Sequence, residues 1–219
     1  MNISWFGHSS FKLSEKIDGK EVIVVTDPYG KDTGLFPPKI SADVVTVSHD
    51  HFDHNNTEKV TGNQDEITTI IDRPGEYETK KVFINGIPSF HDKKNGSERG
   101  SNTIFKIEID HIVVAHLGDL GQKLTEEQID FLGDIDVLLI PVGGKYTIDG
   151  AEAAEVVRQI EPRMVIPMHY KIPGLTIDID DEKKFLKEMG GKADKETKLK
   201  ITRKDLPEDN IRVVILEKS

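Results

Sequence analysis

Short apolar, β-branched runs punctuate the chain, and polar residues, glycines and prolines close them. Residues 3–6, 21–26, 44–47, 67–72, 81–84, 103–109, 112–115, 137–140, 164–168 and 211–216 have this character. Apolar runs of this length, bounded by turn residues, read as strands. Gly7-His8 makes a tight turn between residues 3–6 and a second strand over 9–14, and Asp110-His111 turns a hairpin. Helices come later. Thr125-Glu126-Glu127-Gln128 is a capping box. Residues 149–160 carry Ala153, Val156, Val157 and Ile160 at helical spacing and stop before Pro162. Residues 180–189 predict a third helix, closed by Gly190-Gly191, and residues 55–58 a helix start. Strands in runs, then strands alternating with helices, predict an α/β chain of two packed sheets with helices outside. No repeat and no low-complexity linker divides it, so one domain over 1–219 is expected.

The strand ends carry the chemistry. Val44-Val45-Thr46-Val47 runs into Ser48-His49-Asp50-His51-Phe52-Asp53-His54, three histidines and two further acids at one tip. In extended chain, residues two apart point the same way, so His49 and His51 can grip one ion. If the chain then coils, Asp53 and His54 reach a second. Imidazole with carboxylate suits zinc, and also manganese, iron or nickel. Three more apolar strands end in the same residue types, at His91, at His116 to Asp119, and at His169. Strands of one sandwich present their ends along a common edge, so the four groups can converge. The small-residue loop after His116 would let backbone approach a bound ion. His111 lies in a turn away from these tips and reads as a surface residue.

The His-x-His-x-Asp-His stretch resembles the metallo-β-lactamase superfamily. Trp5-Phe6-Gly7-His8-Ser9-Ser10-Phe11 and Pro74-Gly75-Glu76-Tyr77-Glu78 are similar to its small hydrolases of the ascorbate-6-phosphate lactonase kind. The resemblance covers nearly the whole chain. It implies the four-layer αββα sandwich, the metallo-β-lactamase fold, with the site at one edge between the sheets. It implies that His49, His51 and His91 hold one divalent metal, that Asp53, His54 and His169 hold a second, and that Asp119 bridges them. His116 competes with His91 for the third ligand of the first metal; His91 is preferred, because His116 lies only three residues before Asp119. His116 would then stand behind the ligands or face the substrate. Asp27, at the tip of residues 21–26, would support the metal loop by hydrogen bonding.

Two metals about 3.5–4 Å apart can share a hydroxide nucleophile at neutral pH. Asp53 could orient it and shuttle its proton. His116, His8 or Tyr170 could contact the developing oxyanion. Arg99 could pair with an anionic substrate group. Lys145, Tyr146 and Thr147 could shape the pocket, as could the loops 31–39, 93–102 and 171–181. The expected reaction is hydrolysis of a small-molecule ester, lactone or phosphoester. A nuclease or phosphodiesterase of the same superfamily, or a non-catalytic metal-binding module, is the alternative.

Composition narrows the partners. The formal net charge is −10, with no basic stripe, which argues against a nucleic-acid or membrane surface. There is no cysteine, hence no thiolate ligand or nucleophile. No signal peptide and no long apolar run is evident, so a cytoplasmic protein acting on a small molecule is expected.

Overall fold

Alternation along the strands sorts side chains onto two faces, and in this chain both faces are buried. Val22, Val24 and Val44 point one way and join Ile3, Trp5, Phe11 and Leu13 in the main core. Ile23, Val25 and Val45 point the other way, into a second cluster with Phe6, Tyr29, Leu35, Leu175 and Ile179. A strand buried on both sides must be apolar at every position, which is why these runs show no polar alternation. Each such side chain contributes roughly 1.5–3 kcal/mol by leaving water.

The computed structural model describes residues 1–219, with Asp65 described by its backbone alone. Its strands are β1 (Asn2–Gly7), β2 (Ser10–Ile17), β3 (Lys20–Thr26), β4 (Ile40–Ala42), β5 (Val44–Thr46), β6 (Val60–Gly62), β7 (Thr69–Ile71) and β8 (Gly75–Thr79). They continue with β9 (Val82–Phe90), β10 (Ser101–Ile109), β11 (Ile112–His116), β12 (Val137–Pro141), β13 (Met164–Met168), β14 (Asp194–Glu196), β15 (Leu199–Lys200) and β16 (Arg212–Leu216). The helices are α1 (Glu126–Leu132), α2 (Gly150–Ile160) and α3 (Lys183–Glu188). One sheet has six strands in the order β15-β1-β2-β3-β5-β7, and the other eight in the order β14-β16-β13-β12-β11-β10-β9-β8. The main core fills the space between them. The architecture is the expected mixed α/β sandwich. Among the described residues, no helix is long and apolar enough to cross a membrane.

The outer layers differ. α2 packs on β12, with α1 and α3 beside it. Over the six-stranded sheet the covering comes from the β4–β6 pair, 3-10 turns and loops, including the Tyr29, Leu35 and Leu175 side chains. The helix start expected at 55–58 is a single 3-10 turn, Thr57–Lys59. Asn56 is spent elsewhere: its backbone N donates to Pro28 O (2.8 Å) and its side chain to Tyr29 O (3.0 Å), with no cap formed. α3 begins later than the expected 180, because Asp180 pairs its backbone with Gly143 (2.8 Å) and Lys171 (2.9 Å). The Thr125 capping box forms as the residues predict, and Asp149 with Glu152 makes a second one at the start of α2. Asp110 and His111 both take positive φ (48° and 63°), the twist a two-residue hairpin turn needs.

Strand direction positions the site. β3 and β5 run parallel, as do β11, β12 and β13. β9 is antiparallel to β10 and β10 to β11, so β9 also runs with β11. The C-terminal tips of β5, β9, β11 and β13 therefore open onto one edge.

Candidate metal centre

The segment leaving β5 is held by one carboxylate. Asp27 Oδ1 accepts Ser48 N (2.7 Å), and Oδ2 accepts both Ser48 Oγ (2.6 Å) and His54 Nδ1 (2.8 Å). Ser48 Oγ, having donated to Asp27, accepts from His49 Nδ1 (2.9 Å). His91 Nδ1 donates to Tyr146 O (3.0 Å). In all three imidazoles the proton sits on Nδ1, which leaves the Nε2 lone pair free to bind.

Those lone pairs converge. Asp119 Oδ2 lies 3.2 Å from His91 Nε2, 3.3 Å from His54 Nε2, 3.0 Å from His169 Nε2 and 4.0 Å from His49 Nε2. His49, His51 and His91 offer nitrogens within 4.8 Å of one another; so do His8, His54 and His169 together with an Asp53 oxygen. Asp119 is itself steadied by Asn102, whose Oδ1 accepts Asp119 N (2.9 Å), and by Ser9 Oγ (3.4 Å). Asp53 Oδ2 lies 3.1 Å from His8 Nε2 and 3.7 Å from His54 Nε2.

The electrostatics ask for a cation. Burial opposes ionisation of Asp119, yet His169 and His54 hold it well below the usual carboxylate range. Burial likewise opposes ionisation of Asp53, and the His8 hydrogen bond and His54 overcome it. Burial, then the neighbouring His54, pushes His49 down to about 2; burial, then His169, pushes His8 down to about 4. Burial opposes a charge on His54 too, but Asp119 and Asp27 hold its pKa well above the ordinary value. Anionic carboxylates beside the neutral imidazoles of His49 and His8 are protonation states that metal ligands need, and the proton that Asp119 and Asp27 hold on His54 is positive charge that a cation would supply in its place. The buried Nε2 atoms of His49 and His54 have no hydrogen-bond partner among the described residues. An unpaired buried acceptor is costly, and a cation between these atoms would remove the cost. The residues fit a divalent metal site.

The backbone is bent to make this cluster. His8, Asp27 and His169 take φ of 53°, 38° and 50°, a left-handed region that non-glycine residues enter at a cost. At Gly118 (φ 55°) a Cβ would stand 2.3 Å from Asn102 Oδ1 and 2.6 Å from Ser48 Cβ. The small residue thus admits the side chains that orient Asp119 and His49, rather than bringing backbone to an ion as its sequence suggests.

A cleft of ≈ 610 Å³ opens over the cluster, lined by His51, Asp53, His91, Asp119 and His169 with Phe52, Arg99, Tyr146, Thr176, Ile177 and Asp178. Arg99 reaches it; its guanidinium lies 5.4 Å over the Tyr146 ring. The three expected oxyanion contacts are corrected. His116 is 0% exposed, with Nε2 on Ser9 O (2.8 Å) and its Nδ1 accepting Gly118 N (3.3 Å). It ties the β1–β2 turn to the end of β11 and does not face a substrate. Tyr170 stacks on Trp5 (5.1 Å between centroids) and opens onto a different surface cavity. His8 is buried against Asp53 and His169, and is not on the cleft wall. Of the three loops expected to line the pocket, 93–102 and 171–181 supply Arg99 and Thr176 to Asp178, while 31–39 packs behind, with Thr33 O accepting Thr176 N (2.9 Å). Ser48 and Asn102 carry supporting roles that no sequence pattern marked; Ser48's position just before His49 was the available signal.

Comparison with known proteins agrees with this geometry. Residues 2–169 match the β-lactamase superfamily domain. A UPF0173 metal-dependent hydrolase from Thermococcus onnurineus is 29% identical over 89% of this chain and 94% of its own. Another, from Pyrobaculum calidifontis, is 31% identical over 84% of this chain and 90% of its own. Among solved structures, a Thermotoga maritima protein described as a zinc-dependent hydrolase of the metallo-β-lactamase superfamily is 38% identical, covers 99% of each chain and superposes with a TM-score of 0.78.

Proposed function

The chain belongs to the metallo-β-lactamase superfamily, among its metal-dependent hydrolases, and we propose that it hydrolyses a small-molecule ester, lactone or phosphoester in the cleft above the His/Asp cluster. One observation carries the reading: Asp119 Oδ2 stands within 4.0 Å of four imidazole nitrogens from three separate segments, two of them buried without a partner. His49, His51 and His91 would hold one divalent ion and Asp53, His54 and His169 a second, with Asp119 shared. Zinc suits this donor set, and manganese, iron or nickel could replace it. Such ions supply an ionised water nucleophile near neutral pH and polarise the oxygen that gains charge.

The chain's own residues do the rest. Asp53 lies at the cleft, where its carboxylate can orient the attacking water and take its proton at Oδ2. His8 Nε2, 3.1 Å from that oxygen, fixes the carboxylate's rotamer from behind. Arg99 would bind an anionic group of the substrate with its planar fork. Phe52 and Tyr146 give the cleft apolar walls, and its volume suits a metabolite-sized ligand. With a net charge of −10, a nucleic-acid substrate is disfavoured, and a cytoplasmic small-molecule enzyme is the reading we adopt.

The test is turnover by zinc- or manganese-reconstituted protein on a panel of lactones and nitrophenyl phosphodiesters. Turnover of one class is expected: lactone opening without phosphodiester cleavage would make the protein a lactonase, the reverse profile a phosphodiesterase, and no turnover of either would count against the hydrolase. Asp53→Asn should lower kcat by about 10²–10⁴-fold, the usual scale of general-base loss. Turnover equal to wild type would remove Asp53 from the chemistry.

A further inference from the structure

Asp92 follows His91 directly and is 3% exposed, yet among the described residues it forms no ion pair; backbone fills its carboxylate. Oδ1 accepts Lys94 N (2.7 Å) and Gly96 N (3.0 Å), and Oδ2 accepts Glu98 N (3.0 Å) and Arg99 N (2.8 Å). Gly100 N donates to Gly96 O (2.9 Å), and Gly100 O accepts His91 N (3.1 Å). The segment from His91 to Gly100 is thereby closed into a ring rooted at a candidate metal ligand. Its tip, Lys93-Lys94-Asn95-Gly96-Ser97-Glu98, contains no apolar side chain and is largely exposed, so no core packing orders it. The Asp92 carboxylate does.

Arg99 leaves this ring into the cleft. Its guanidinium lies 5.4 Å over Tyr146, and its ion pair with Glu98 is long (3.9 Å). Among the described residues the guanidinium makes no hydrogen bond, so its donors are available. Tyr146 in turn accepts His91 Nδ1 on its carbonyl (3.0 Å). His91, Asp92, Arg99 and Tyr146 thus form a closed circuit between a metal-ligand candidate and the cationic side chain of the cleft wall.

We propose that Asp92 is a positioning residue for substrate recognition: it fixes Arg99 over Tyr146, so that a carboxylate or phosphate of the substrate meets a preset guanidinium. This rests on the reading of Arg99 given above. Holding a long side chain in its bound pose beforehand reduces the entropy lost on binding.

The test uses full-length, zinc-loaded protein and calorimetric titration with inorganic phosphate and, separately, malonate. Asp92→Asn should weaken binding by about tenfold, the scale of one charged hydrogen bond. An amide cannot accept on both sides, so two of the four N–H groups lose their acceptor. Arg99→Gln should weaken binding similarly, and the double variant should be no weaker than Arg99→Gln alone. Zinc content should stay at the wild-type value in all three. An effect confined to phosphate, or to malonate, names the group recognised. The proposal is overturned if wild-type protein binds neither anion, if Asp92→Asn weakens binding equally in the Arg99→Gln background, or if it strips zinc. Amide hydrogen exchange in wild-type protein gives a check that needs no variant. Residues 94, 96, 98 and 99 should be protected, and fast exchange at all four would contradict the clamp. None of these readings needs turnover, so an inactive enzyme would sink the hydrolase reading and leave this one decided on its own data.

Discussion

Asp27 touches no cleft, yet the site hangs on it. Its two oxygens accept three hydrogen bonds, from Ser48 N, Ser48 Oγ and His54 Nδ1, at 2.6–2.8 Å. Asp27→Asn would set an amide N–H against one of these donors and loosen both His49 and His54. Metal affinity should fall about 10–100-fold, the usual cost of losing such a supporting partner, in a competitive chelator titration; an unchanged affinity would mean that the imidazoles hold their orientation unaided. A second buried carboxylate, far from the site, sets a pH limit. Burial opposes ionisation of Asp43, but Lys80 (2.5 Å), Asn63 and Ile23 N hold its pKa below the ordinary carboxylate value. A depressed native pKa contributes stability that is present above the unfolded value, about 3.9, and lost as pH falls through the native one. Asp43→Asn should flatten the fall in Tm below about pH 4, and an identical acid limb would refute the assignment. Individual residues were unequally readable in the sequence. His49, His51 and His54 stood out because three of the chain's 8 histidines fall together at the tip of one apolar strand. His116 looked the same, and its place behind the ligands rather than against a substrate could not be decided there, because its partner is the Ser9 carbonyl, 107 positions away, which carries no sequence mark.

Elements were legible where a local rule fixes them and illegible where tertiary contacts do. The Asp149 cap of α2 is of the first kind. Its side chain accepts Ala151 N (2.9 Å) and Glu152 N (3.0 Å) and also meets Lys184 of α3 (2.6 Å). Asp149→Ala should cost about 1 kcal/mol, lowering Tm by roughly 2–4 °C for a chain of this size; a shift under a degree would mean that α2 is held by packing alone. The 3-10 turn at Thr57–Lys59 is of the second kind, since the contacts of Asn56 with Pro28 and Tyr29 could not be read locally. The outer cover of the six-stranded sheet was also hidden. Strands β3 and β5 announce that both their faces are buried, but not whether helices or loops do the burying. The Gly118 turn joins both kinds. Gly118→Ala would drive Cβ into Asn102 and Ser48 at a strained φ, displacing Asp119 and His49 together. Metal occupancy should drop along with Tm, and loss of stability at full occupancy would separate the turn from the site.

Over the whole molecule, two sheets exist to bring four strand tips to one edge, and the tips gather like-charged and unpaired groups. Asp53 and Asp119 are buried beside one another and beside orphaned imidazole nitrogens, a cluster that is unfavourable without positive charge. Fold stability should therefore follow metal. At a free-ion concentration a hundred times Kd, binding adds about 2.7 kcal/mol, so chelation should lower Tm by roughly 5–10 °C. The most direct test is the metal-to-protein ratio, by elemental mass spectrometry, of protein reconstituted with zinc and freed of excess. The two groups of close ligand atoms, His49, His51 and His91 in one and Asp53, His54 and His169 in the other, predict two ions per chain, with a clear loss in Asp119→Ala. A ratio near zero in the folded wild-type protein would contradict the metal centre and the hydrolase built on it.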